Sequence, residues 1–99
     1  MSARILIVDD LVPNIRLLEV KLTAEYYDVL TATSGAEALE IAKSEKLDLI
    51  LLDAMMPGKD GFEVCRQLKA DTSLAHIPVI MLTALEAVSY THLTLPTKA

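Results

Sequence analysis

The chain has 99 residues, 53% of them hydrophobic, and its 14 acidic and 9 basic side chains give a net charge of −5. That length fits one small domain, the apolar share excludes a disordered segment, and the acidic balance gives no support to nucleic-acid binding. No apolar run reaches membrane-spanning length and no signal-peptide pattern is seen at the start, while the single cysteine, Cys65, has no partner for an internal disulfide, which fits a reducing cytoplasm.

Residues 4–8, RILIV, are apolar and β-branched, too short for a helix, and read as a buried strand that runs into Asp9 and Asp10. Ile15, Leu18 and Leu22 then recur at helical spacing and predict a first helix up to AEYY. YDVLTA is a second strand. SGAEALEIAKSEK opens on Ser34 with Glu37 three residues on, the pattern of a capping box, and Ala38, Leu39, Ile41 and Ala42 give this helix an apolar stripe. LDLILL, residues 47–52, is a third strand that runs into Asp53. The turn-rich PGKDG, shaped by Pro57 and Gly58, leads into FEVCRQLKA, a helix with Phe62, Cys65 and Leu68 on its predicted core face. Asp60, with Glu63 three residues on, reads as its N-cap. IPVIMLT, residues 77–83, is a fourth strand ending in the hydroxyl of Thr83.

The order βαβαβαβ calls for right-handed crossovers and a parallel sheet covered on both faces. In such open sheets the site lies beyond the carboxyl ends of the strands, where Asp9, Asp10, Asp53 and Thr83 all fall. A single acid after a strand is commonly a helix cap or a solvated loop residue. Three that converge on one edge form a site. Their mutual repulsion is relieved by a hard divalent cation, and oxygen-only ligands suit Mg²⁺. Such an ion neutralises charge on phosphoryl oxygens while a nucleophile attacks in line. Asp53, alone at its strand end, is the candidate nucleophile, and an attacking carboxylate forms an aspartyl phosphate. Thr83 is placed to donate a hydrogen bond to the phosphoryl group. Elsewhere Cys65 reads as a packed thiol and His76 as a surface-loop histidine without a second ligand. Met55 and Met56 read as apolar loop residues, and Lys59 as solvated.

ILIVDD, LLDAMMPGKDGFEVCRQLK and IPVIMLTA together resemble the receiver domain of bacterial two-component response regulators, from about Met1 to Leu85. Within that family the chain looks like the first receiver of PleD-like diguanylate cyclase regulators. The resemblance implies a flavodoxin-like (CheY-like) α/β fold, a doubly wound parallel sheet in three αβα layers with strand order 2-1-3-4-5. It implies a phosphorylation switch in a phosphorelay, with a sensor histidine kinase or phosphotransfer protein as partner. Such a domain catalyses only its own phosphorylation, and a diguanylate cyclase output domain would belong to the parent protein. By this likeness Asp53 matches the phosphoacceptor, Asp10 a direct ligand of Mg²⁺ (or Mn²⁺), and Asp9 an acid acting through a bound water. Met55 matches the residue whose backbone carbonyl completes the metal shell, Thr83 the switch hydroxyl, and Ala84 a backbone N–H donor to the phosphate.

After MLTALE the likeness stops. The family continues with a fourth helix, a fifth strand ending in Lys-Pro and a fifth helix, whereas this chain reads AVSYTHLTLPTKA, with no helical or strand period. Val88 to Thr97 resembles the translation of a transposase adaptor used in sequencing libraries. Residues 1–86 are therefore expected to be a truncated receiver and 87–99 a non-native tail, so His92 is given no role. The family's phosphate-pairing lysine has no counterpart, since Lys98 precedes Ala and follows Thr83 too soon. The dimerisation and output face would be largely absent and the fourth strand would be an open, aggregation-prone edge. Losing four or five large apolar side chains from the core costs roughly 6–15 kcal/mol, against about 5–15 kcal/mol for a whole domain, so partial unfolding or aggregation is expected.

Two other functions compete. A metal-dependent phosphatase of the haloacid-dehalogenase type also uses an aspartyl phosphate, but it carries a second Asp two residues after the nucleophile, where this chain has Met55. A non-catalytic flavodoxin-like module binding flavin would want a Gly- or Ser/Thr-rich phosphate loop after the first or third strand, and neither is present.

Overall fold

A computed structural model of the chain describes residues 2–54, 56, 61–82 and 87–89. The alternation foreseen above is present: β1 (Arg4–Val8), α1 (Val12–Ala24), β2 (Asp28–Ala32), α2 (Gly35–Ser44), β3 (Leu49–Asp53), α3 (Gly61–Ala70) and β4 (Val79–Leu82), followed by a short β5 (Ala87–Ser89). The sheet runs β2-β1-β3-β4-β5. β1 lies between β2 and β3, and β3 pairs with β4, all in parallel. The chain therefore steps outward from β1 to β2 and then returns to the other side of β1. This reversal opens a crevice at the carboxyl ends of β1 and β3.

Each helix follows from its local sequence. α1 carries Pro13 in its first turn, where the missing N–H would have had no helical partner. It turns Ile15, Leu18 and Leu22 onto the sheet. Its end is closed by N–H donation from Tyr26 to Thr23 O (2.9 Å) and from Tyr27 to Leu22 O (3.2 Å), a Schellman closure. Tyr26 takes the left-handed position at φ 69°; glycine is usual there, because a side chain costs about 1–2 kcal/mol in that region. At α2, Ser34 Oγ accepts the Glu37 N–H at 3.2 Å. The return arm of the predicted capping box is shifted by one residue: Glu37 Oε1 accepts from Thr33 N–H (2.9 Å), not from the cap residue itself.

On α3 the expected face is corrected. Gly61, Val64, Cys65 and Leu68 are buried, while Phe62 is 39% exposed. The 61/64/65/68 spacing is a full i, i+3, i+4, i+7 stripe, and Phe62 stands off it. Cys65 is a packed thiol as expected, and burial pushes its pKa up. His76 is exposed, also as expected.

The sheet has two unequal cores. Under α2 and α3, Leu6, Val8, Ile50, Leu52, Val79 and Met81 meet Ala38, Ala42, Val64 and Leu68. On the opposite face Ile5, Ile7 and Leu51 lie with Ile15 of α1, flanked by the half-buried Leu49, Ile80 and Leu82.

β5 corrects the expectation that β4 would be an open edge. Ala87, Val88 and Ser89 pair antiparallel with Leu82, Met81 and Ile80. A parallel return takes a crossover of about a dozen residues or more. With only four residues between them in sequence, β4 and β5 pair antiparallel instead. At the amino edge, Arg4 N–H donates to Asp48 Oδ2 (2.7 Å), and Lys69 Nζ donates to Ala75 O (3.0 Å) and Ile77 O (2.6 Å), tying α3 to the approach to β4.

Candidate functional site

Two strands deliver the acids. β1 is apolar through Val8, so its end is fixed within the sheet, and Asp9 continues it with its N–H donated to Ala32 O at 3.1 Å. Asp10 is the next residue. Asp53 is itself the last residue of β3, in register with Leu82 of β4, and the following N–H, from Ala54, donates to Leu82 O at 2.9 Å. β3 is thus held by ladder bonds up to the acid.

The three carboxylates meet. Asp9, Asp10 and Asp53 each offer one oxygen, and these atoms all lie within 4.8 Å of one another. Asp9 is buried at 5% exposure, whereas Asp10 and Asp53 are half-buried. The pair on β1 plays two parts. Asp9 Oδ1 accepts the Leu11 N–H (2.9 Å), and Oδ2 accepts from the Asn14 side-chain amide (3.2 Å). Both oxygens of the buried acid are therefore engaged by the protein, which offsets the cost of desolvating it. Asp10, more open, keeps the better approach to an incoming cation.

The donor set suits a hard divalent ion. Three carboxylates supply oxygen only, and the 4.8 Å limit on their spacing compares with about 4.2 Å across an octahedral Mg²⁺ whose ligands lie at about 2.1 Å. Small adjustments of the half-buried Asp10 and Asp53 side chains cover the difference.

The sequence reading located all three acids. Met55, Thr83 and Ala84, also expected at the site, lie outside the described residues, as do Asp60, His92 and Lys98. Asn14 was missed. Its signal was available in retrospect: an amide in the first turn of the helix that follows Asp9 and Asp10, one residue from the buried Ile15. Gly61 was missed as well, and its backbone N–H donates to Ala54 O at 3.2 Å, just past the end of β3.

Comparisons with known proteins place the chain in a family. The family model of the response regulator receiver domain matches residues 5–99. Response regulator PleD of Caulobacter vibrioides is 62% identical over 86 residues, which is 87% of this chain and 19% of that protein. The alkaline phosphatase synthesis transcriptional regulatory protein PhoP of Bacillus subtilis is 48% identical over 84 residues, 85% of this chain and 34% of that protein. The chain thus spans about a fifth to a third of the length of these relatives. Among solved structures, the N-terminal domain of a response regulator receiver protein from Methanoculleus marisnigri JR1 superposes with a TM-score of 0.80 at 41% identity, over 82% of this chain and 66% of that one. Response regulator TrrA of Thermotoga maritima, in complex with Mg²⁺-BeF, gives 0.75 at 43% identity, over 84% of this chain and 70% of that one.

Proposed function

The chain belongs to the response regulator receiver family, and from that premise we propose that it accepts a phosphoryl group on Asp53 and acts as a phosphorylation switch in two-component signalling. The observation that carries this reading is the meeting of three carboxylates from two strands within 4.8 Å at the reversal point of the sheet. Asp10 and Asp53 would hold Mg²⁺, or Mn²⁺ in its place, and Asp9, whose oxygens accept from Leu11 and Asn14, would act on it through water. When bound, the ion supplies positive charge against the phosphoryl oxygens. An oxygen of Asp53 attacks phosphorus in line; the new P–O bond forms as the P–N bond to a donor imidazole breaks, and the imidazole leaves with the electron pair.

The family likeness adds the Met55 carbonyl to the metal shell and gives the phosphoryl group hydrogen bonds from Thr83 and the Ala84 N–H. The phosphoryl donor is a sensor histidine kinase or phosphotransfer protein in the cytoplasm, and the response issues from an output domain of the parent protein, such as a diguanylate cyclase. Residues 87–99 are proposed to be a non-native tail after a truncated receiver, residues 1–86. Among the described residues no helix is long and apolar enough to cross a membrane.

Neither the phosphatase nor the flavin-binding reading gains support from the comparisons. The test is intact-mass measurement after incubation with acetyl phosphate and Mg²⁺. The chain is expected to gain one phosphoryl group and Asp53→Asn none. Undiminished labelling of Asp53→Asn would remove the acceptor assignment.

A further inference from the structure

α3 begins unusually close to the acceptor. A Cβ placed on Gly61 would lie 2.2 Å from the carbonyl oxygen of Asp53, 2.9 Å from its carbonyl carbon and 2.8 Å from Cα of Ala54. All three are backbone atoms, so no side chain can swing aside to make room. The φ of Gly61 is not in the left-handed region, so what the position demands is space. The contact is also bonded: Gly61 N–H donates to Ala54 O (3.2 Å), and Ala54 N–H donates to Leu82 O (2.9 Å). A continuous backbone link thus runs from the first residue of α3, through the peptide beside the acceptor, to the last residue of β4.

We propose that Gly61 is a positioning residue for Asp53: by carrying no side chain it lets α3 seat against the acceptor's own peptide, and this seat sets where the Asp53 carboxylate stands relative to Asp9 and Asp10. The inference rests on the phosphoacceptor reading above. Relieving a 2.2 Å contact to an ordinary separation takes a shift of about 1 Å, and a misplacement of that size costs about 100-fold in a reaction that depends on alignment. Asp9 is held by Leu11 and Asn14, and Asp10 follows it at the end of β1, so neither is tied to Gly61 by the backbone link just described. Divalent-ion binding should therefore suffer less than phosphorylation.

The experiment compares the full chain with its Gly61→Ala variant. Phosphorylation by acetyl phosphate is followed at saturating Mg²⁺, Mn²⁺ affinity by electron paramagnetic resonance, and backbone amide signals by NMR without metal. Expected is a loss of about 100-fold in rate that added Mg²⁺ does not restore, a smaller loss of Mn²⁺ affinity, and amide shifts centred on Ala54 and Leu82 while β2 is unmoved. A wild-type rate in Gly61→Ala overturns the inference, and so does a defect that saturating Mg²⁺ repairs. If the parent chain itself takes no label, the phosphoacceptor reading fails, and the NMR arm still decides whether the seat exists. If the variant does not melt cooperatively, the comparison is repeated in trimethylamine N-oxide, which favours the compact state. Failure to fold there also overturns the inference, because the glycine would then serve the whole fold rather than the acceptor.

Discussion

The two faces of the sheet are built to different standards. Under α2 and α3 the side chains of Leu6, Val8, Leu52, Val64, Val79 and Met81 are fully buried. Opposite, among the described residues, α1 alone covers the sheet, and Leu49, Ile80 and Leu82 stay half-buried beside Ile5, Ile7 and Leu51. A single helix spans about 10 Å, roughly the width of two strands at about 4.8 Å each, and α1 sits over β1 and β2. Among the described residues, the part of this face over β3 and β4 is left thinly covered. Stability and site geometry should therefore depend mainly on the two-helix face, and the one-helix face should tolerate change.

Neighbouring leucines test this most strongly, since Leu52 points to the two-helix core and Leu51 to the other. Leu52→Ala should lose about 4 kcal/mol and Leu51→Ala about 2 kcal/mol, because the thinner layer can relax into the space. Equal losses in urea titrations would break the comparison. On the α1 side, Tyr26→Gly should gain about 1 kcal/mol by removing the cost of a side chain at φ 69°, read as a raised thermal midpoint. A fall would show that the 85%-exposed ring is held by more than this backbone position suggests.

The smallest effect is expected in the turn after α3. Hydrogen bonds from the Ser73 hydroxyl (2.7 Å) and N–H (2.9 Å) hold the Asp71 carboxyl below the usual carboxylate range. A pKa lowered by folding stabilises above the ordinary Asp range, and that contribution is lost as pH falls through the folded value. Ser73→Ala should therefore lower the thermal midpoint slightly at neutral pH and match the parent in acid. A difference that grows in acid would reverse the sign.

What the sequence disclosed follows from how local each signal is. Strands β1 and β3 were legible because unbroken apolar runs stop at acids, and parallel-sheet topology then brings those acids together. α2 was legible from Ser34 and Glu37. The face of α3 was misread because Phe62 is the most apolar-looking residue of its first turn, while burial is decided by how close the helix comes, and Gly61 permits that approach. β5 could not be read from periodicity, since its three residues become a strand only by pairing with β4. Asn14 was hidden for the same reason, its role being visible only once α1 is set beside Asp9.

The hydrogen bonds to Asp9 bear on how often the switch can be used. Because Leu11 and Asn14 hold that carboxylate in place, the cation is not what keeps the end of β1 in shape. On the proposed reading the cation would be free to leave while the scaffold stays assembled, and a chelator should silence phosphorylation without melting the domain.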